Sequence, residues 1–142
     1  MDKVQLRKGK LIRDDIVLTT RGTLGNVGHY DSFIPYENVR INSGMVIFRC
    51  NNVIVNPRYL YWMFRSPFFQ NQIERFRSGS AQPQLPIKLI NQFSLPFPDI
   101  SEQKNIAGKF DSWNEVYIAL NNHLKNTKIL FREYLAFSFR NS

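Results

Sequence analysis

A single cysteine, Cys50, stands among the 142 residues. That excludes an internal disulfide framework and any cysteine-based zinc site, and it fits a reducing cytoplasm. No stretch approaches the ~18 consecutive apolar residues of a membrane-spanning helix. The first residues lack the apolar core of a signal peptide, so neither a membrane span nor export is expected. Internal repeats and low-complexity tracts are also missing. Histidine is scarce: His29 and His123 stand far apart without acidic or cysteine companions at ligand spacing, so no metal site is expected. Acidic residues are outnumbered, eleven Asp/Glu against nineteen Lys/Arg, for a net charge of +8.

Catalytic signatures are equally thin. Arg21-Gly22-Thr23-Leu24-Gly25 lacks the Gly-Lys-Ser/Thr ending of a phosphate-cradling loop. Asp14, Asp15 and Asp31 form no nuclease pattern with a nearby strand lysine, and no Ser/His/Asp set stands out. Asn56-Pro57-Arg58-Tyr59 is one residue away from the Asn-Pro-Pro-Tyr loop with which adenine-N6 methyltransferases grip a flipped base. No glycine-rich cofactor loop follows a strand upstream of it, and a helix N-cap accounts for the four residues equally well. The expectation is a chain that is not an enzyme and needs no cofactor.

What the chain does have is aromatic and apolar weight: twelve Phe, six Tyr and two Trp. The most regular pattern lies near the C-terminus. Ile106, Phe110, Trp113, Tyr117, Leu120, Leu124, Phe131 and Tyr134, with Thr127 in the one polar slot, follow a 4,3 spacing. That is an a/d heptad held for about four heptads, the mark of a helix that seams lengthwise against another. Pro98 and the capping sequence Asp99-Ile100-Ser101-Glu102 set its start. From Asp99 to about Phe137 it would run on the order of 55 Å. No earlier segment offers a matching long heptad, so the partner helix is expected on another chain. The alternative is a helix folded back on its own domain.

Charge divides the chain the same way. Residues 1–98 hold thirteen of the nineteen Lys/Arg and only six of the eleven Asp/Glu, whereas residues 99–142 are nearly balanced. A basic domain on a neutral stalk points to a polyanion partner, with nucleic acid the commonest; the alternative is a merely well-solvated basic surface. In residues 1–98, Ile16 to Thr20 read as a buried strand, with further short strands at 27–30, 33–34, 45–49 and 53–55. Asn56-Pro57 and Ser66-Pro67 each carry the start signal of a helix. Polar Ser78 to Leu85 read as a loop. The fold class is therefore α+β: a small mixed-β body (residues 1–98) with inserted helices, followed by a long C-terminal coiled-coil helix (residues 99–142).

These residues resemble a known family. Asp15-Ile16-Val17-Leu18-Thr19-Thr20-Arg21-Gly22-Thr23-Leu24-Gly25 is similar to the strand and loop of type I restriction–modification specificity subunits, and Pro57-Arg58-Tyr59-Leu60-Tyr61 to the helix that follows. The most specific stretch is Gly79-Ser80-Ala81-Gln82-Pro83-Gln84-Leu85, then Leu95-Pro96-Phe97-Pro98, then Glu102-Gln103 with Ile106-Ala107. The resemblance covers roughly residues 10–137. It implies a target recognition domain plus a long helix. In the family two such halves join through antiparallel helices, each domain reads half of a split double-stranded DNA site, and modification and restriction subunits do the chemistry. Two departures stand out: the family usually carries two halves in one chain, and a half begins with further strands before the counterpart of Asp15.

The first reading is thus a non-catalytic, cytoplasmic DNA-recognition module that scaffolds modification (methyltransferase) and restriction subunits and forms a homodimer through Ile106, Phe110, Trp113, Tyr117, Leu120, Leu124 and Phe131. Outer-face residues such as Lys109, Glu115 and Lys125 would meet the modification subunits. Rivals are a truncated interaction fragment that no longer binds DNA, and a remnant of an adenine methyltransferase's recognition domain. Candidate DNA contacts are Thr20, Arg21 and Thr23 in the glycine loop and Ser80, Gln82 and Gln84 in the polar loop, where Arg and Gln offer forked donors to guanine and adenine edges. Arg75 and Arg77 are placed on phosphate. The alternative for both loops is that they close turns or anchor the domain to its helix.

Overall fold

The computed structural model describes residues 4–7, 9–79 and 81–140. Four strands, β1 (Val4–Arg7), β2 (Ile16–Thr19), β3 (Val27–His29) and β4 (Met45–Cys50), form one sheet in the order β1-β4-β2-β3. Every pairing is antiparallel. Helices α1 (Pro57–Arg65), α2 (Pro67–Phe76), the short α3 (Ile87–Ile90) and the long α4 (Ile100–Arg140) follow. This is the α+β architecture expected from the sequence.

The central strands are apolar at consecutive positions because both faces of the sheet are covered. In β2 and β4, Ile16 lies opposite Phe48 and Leu18 opposite Val46. These side chains point to one face, where they pack with Leu60, Phe64, Phe69 and Ile73 of α1 and α2. An aromatic chain runs through that core: Phe48 meets Phe64 edge-on at 4.6 Å, Phe64 stacks on Phe69 at 4.2 Å, and Phe69 meets Phe93 edge-on at 5.0 Å. On the opposite face, Ile47 and Val17 meet Leu11, Tyr30, Ile34, Val39 and Ile41. The period-2 alternation of a strand therefore feeds two apolar layers.

Proline and a polar cap set the helix starts, as the sequence predicts. The Asn56 side chain accepts the Tyr59 N–H at 2.9 Å with Pro57 in the first turn. Ser66 ends α1, its N–H donating to the Met63 carbonyl, and begins α2. Asp99 accepts the Glu102 N–H at 2.9 Å at the start of α4. Two expected strands do not form. At 53–55 the N–H groups of Ile54 and Val55 both turn back to the Asn51 carbonyl, and the Asn51 side chain accepts from Val53. At 33–34 the Asp31 and Ile34 carbonyls are claimed by the Arg13 guanidinium, not by a ladder. Conversely, β1 (Val4–Arg7) forms where no strand was expected, pairing along β4.

The structure divides into two compact units, Met1–Ala107 and Gly108–Ser142. The first two turns of α4 belong to the first unit, where Gln103 and Ala107 are buried. In the second unit Phe110, Trp113, Tyr117, Leu120, Leu124 and Phe131 are all exposed, Trp113 to 63%; Ile106, in the first unit, is half-buried. Phe110 meets Trp113 edge-on at 5.4 Å. Among the described residues no helix is long and apolar enough to cross a membrane.

Candidate nucleic-acid interface

The two loops singled out in the sequence, sixty residues apart, meet in space. Thr20 is the junction. Its N–H donates to the Gly44 carbonyl at 2.7 Å, and its own carbonyl accepts the Leu85 N–H at 2.9 Å. Arg21 lies in a bridge with Gln84, and Gln84 bridges Ser78 through two backbone hydrogen bonds of 2.8 Å. Glycine is required at two points of this junction. At Gly25 (φ +79°) a Cβ would sit 2.5 Å from the Gln70 amide oxygen, and at Gly79 (φ +81°) one would sit 2.7 Å from the Gln82 carbonyl oxygen. Gln70 in turn donates to the carbonyls of Gly25 and Phe64, tying the glycine loop to the helices.

Arg21, Thr23, Gln82 and Gln84 are exposed at this junction, as are Arg75 and Arg77 at the end of α2. Arg77 pairs with Glu74 at 3.1 Å. Thr20 differs. It is only 3% exposed and its hydroxyl bonds to the Gly44 carbonyl, so burial removes it from the side chains able to touch a base. Ser80 lies outside the described residues.

One cationic surface was missed in the sequence reading. On α1, the Arg58 guanidinium lies 4.9 Å from the Tyr61 ring and 5.5 Å from Trp62, and that of Arg65 lies 5.1 and 5.0 Å from the same rings. Positions 58, 61, 62 and 65 share one helical face, and that spacing was the available signal. Arg58 also faces Asp31 at 3.8 Å, and His29, its side chain buried, lies 3.2 Å from Asp14 and 4.0 Å from Asp31. A ridge of guanidinium and aromatic groups suits phosphate and base faces.

The Asn-Pro-Arg-Tyr sequence takes the capping role. The Asn56 oxygen is committed to the Tyr59 N–H, and the Tyr59 ring is buried with its hydroxyl donating to the Pro96 carbonyl at 2.9 Å. That burial pushes the Tyr59 hydroxyl above the ordinary tyrosine range. Deeper still, Asp15 accepts Arg49 at 2.8 and 2.7 Å in a two-point pair and also the Ile12 N–H. That bond to Asp15 holds the Arg49 pKa above its usual value, against burial, which lowers it. A cavity of about 250 Å³ beside β1 is lined by Val4, Leu6, Phe48, Phe64, Phe93 and Phe97 among others. Its lining side chains are apolar apart from Asn91.

A family model described as the type I restriction modification DNA specificity domain matches residues 3–129. The chain belongs to that family. It is 24% identical to the EcoBI type I restriction enzyme specificity subunit of Escherichia coli over a 143-residue alignment covering 96% of this chain and 29% of that protein. Two crystal structures share the fold. The S subunit of a type I restriction–modification system from M. genitalium has a TM-score of 0.63 at 15% identity, covering 79% of this chain and 37% of that one. The HsdS subunit from Thermoanaerobacter tengcongensis has a TM-score of 0.63 at 21% identity, covering 78% and 28%. The chain thus spans about a third of the length of these relatives.

Within the Glu102-Gln103 stretch, Gln103 is an anchor by its own hydrogen bonds. Gln103 is fully buried; its side-chain oxygen accepts the Asn56 N–H at 2.9 Å and its amide donates to the Ile54 and Pro98 carbonyls at 3.0 and 2.8 Å. One side chain thereby fixes the first turn of α4, the proline segment before it and the turn that leads into α1. Gln is suited to this because its amide carries donors and an acceptor together.

Proposed function

We propose that this chain is a non-catalytic DNA-recognition module of a type I restriction–modification system, with residues 1–98 as the reading domain and residues 99–142 as a dimerising spacer helix. Family membership supports the reading. The observation that carries it is the convergence of loops 20–25, 42–44 and the described residues of 78–85 on one site of a basic domain, with Arg21, Thr23, Gln82 and Gln84 exposed there. A duplex is held first through phosphate charge, which Arg75, Arg77 and the α1 ridge would supply, and is then read at base edges. The exposed a/d stripe of α4 supports a homodimer with antiparallel helices. Its outer face, with Lys109, Glu115 and Lys125, remains for modification and restriction subunits.

The deciding experiment is a duplex-binding assay at two salt concentrations. Binding should weaken steeply with salt, and Arg75→Ala should weaken all sequences alike while reducing the salt slope by about one contact. Affinity indifferent to salt would sink the electrostatic part. A second reading, an interaction fragment that assembles with modification subunits without binding DNA, draws on the apolar exposure of α4. Co-elution with a modification subunit together with no duplex shift at low salt would favour it.

A further inference from the structure

The segment between β3 and β4, residues 31–43, contains neither helix nor strand, and loops of that length inside a compact domain are usually functional. Its inward side chains Ile34, Val39 and Ile41 cover the second face of the sheet. Its two aromatic rings do the opposite: Phe33 is 90% exposed and Tyr36 71%. Yet the backbone that displays them is tightly held. The Arg13 guanidinium donates to the carbonyls of Asp31 and Ile34 at 2.7 and 2.9 Å and to the Glu37 carboxylate at 2.7 Å, and it lies 4.4 Å from the Tyr30 ring. The Tyr30 hydroxyl donates to the Tyr36 carbonyl at 2.5 Å, and the Asp31 carboxylate accepts the Phe33 N–H at 3.0 Å. Asn38, at φ +58°, accepts from Lys10 at 2.6 Å. A segment serving only as a lid would turn its largest rings inward. This one fixes its backbone with polar contacts and turns them out.

Charge selects the occupant. The segment's two acids are each matched to a cation, Asp31 to Arg58 and Glu37 to Arg13. Lys10 and Arg40 sit side by side across a bridge at its base, and Arg21 packs near Gly44 at its end. Aromatic rings presented among cations fit double-stranded DNA, where apolar groups read thymine methyls and cations hold phosphate. The glycine and polar loops are tied to each other through backbone hydrogen bonds.

We infer that residues 31–43 are a further sequence-reading element of this domain beside the glycine and polar loops, with Phe33 and Tyr36 contacting base edges, Lys10 and Arg40 on flanking phosphates, and Arg13 as a positioning residue. The inference rests on the DNA-recognition reading and deepens it. The test is selection of preferred duplexes from a randomised pool by the full chain, then measurement of discrimination between the selected and a scrambled duplex. Phe33→Ala and Tyr36→Ala should each lose about tenfold in discrimination, in line with the loss of one base contact, with unchanged thermal stability and salt slope. Arg40→Ala should weaken both duplexes equally and lower the slope by about one. Arg13→Lys should lose discrimination together with amide-exchange protection at 33–38. Wild-type discrimination retained by both aromatic variants would overturn the assignment, as would their failing only to capture a modification subunit. A wild-type chain that enriches no sequence would refute the DNA reading itself, before any variant is made.

Discussion

Residues Met1–Ala107 and Gly108–Ser142 use the same aromatic residue types to opposite ends. In the first unit Phe48, Tyr59, Phe64 and Phe69 are buried; in the second Phe110, Trp113, Tyr117, Phe131, Tyr134 and Phe137 are exposed. Composition does not separate them; layering does. The strands of the first unit have helices on one face and a long loop on the other, so the apolar side chains of the sheet find partners within reach, and large exposed rings are confined to positions outside it such as Phe33, Tyr36 and Phe68. The second unit is part of a single helix, and a single helix has no second layer of its own against which to bury a stripe.

The largest effect that would sharpen this comparison is expected at Phe64, which joins Phe48 to Phe69. Phe64→Ala should cost about 3–5 kcal/mol in urea unfolding. Trp113→Ala should change the same measurement by less than about 0.5 kcal/mol at concentrations where the chain is monomeric. If the two variants cost the same, the contrast between the units is wrong.

Next is Leu120→Asp. Buried in a two-helix seam, the new carboxylate would have no partner, and the homodimer should weaken by about 3 kcal/mol or more, roughly a hundredfold. Sedimentation should then give a monomer at tens of micromolar where the parent chain is a dimer. A parent chain that is already monomeric there would break the proposed seam outright.

Within the first unit, the polar anchors should matter less than Phe64 but more than any charge on α4. Arg49→Ala strands the buried Asp15 carboxylate with only the Ile12 N–H and should cost about 2–4 kcal/mol, moderated by Arg49 being partly solvated. Gln103→Ala leaves the Asn56 N–H and two carbonyls without their partner and should cost about 2 kcal/mol. Hydrogen exchange should show that loss at the start of α4 and at 54–56. Exchange unchanged there would mean that Gln103 does not anchor the helix.

The smallest effect is expected at Cys50, whose thiol is pushed up to about 12, first by burial and then by the nearby carboxylates of Asp15 and Asp14. A raised pKa disfavours the thiolate in the folded chain. Its contribution to stability is therefore complete below the ordinary thiol range and is lost as pH rises from about 9 to about 12. Alkylation at mildly alkaline pH should be much slower in the folded than in the urea-unfolded chain, and Cys50→Ser should flatten part of the alkaline fall in stability.

Local chemistry by itself determined a good deal of this protein. Asn56-Pro57, Ser66-Pro67 and Asp99 mark helix starts because a cap needs only a side chain three residues from an open N–H. The strands expected at 16–20, 27–30 and 45–49 from short β-rich runs bounded by turn residues formed at 16–19, 27–29 and 45–50, the long α4 followed from its heptad period, and the motifs of the glycine loop, the polar loop and Glu102-Gln103 pointed to the family. What depends on distant partners was not legible. The run at 33–34 has strand composition, but the distant Arg13 claims its backbone first; at 53–55 the competitor is local, the Asn51 turn prevailing over strand composition. Val4–Arg7 became a strand because β4 offered it an edge. Thr20 looks like a free hydroxyl until Gly44 and Leu85 close over it. The exposed rings of Phe33 and Tyr36 emerged only when the sheet beneath them had been covered by their own neighbours. Sequence sets what each residue can bond to within a few positions. Only the tertiary structure decides which of those bonds a partner forty residues away will take instead.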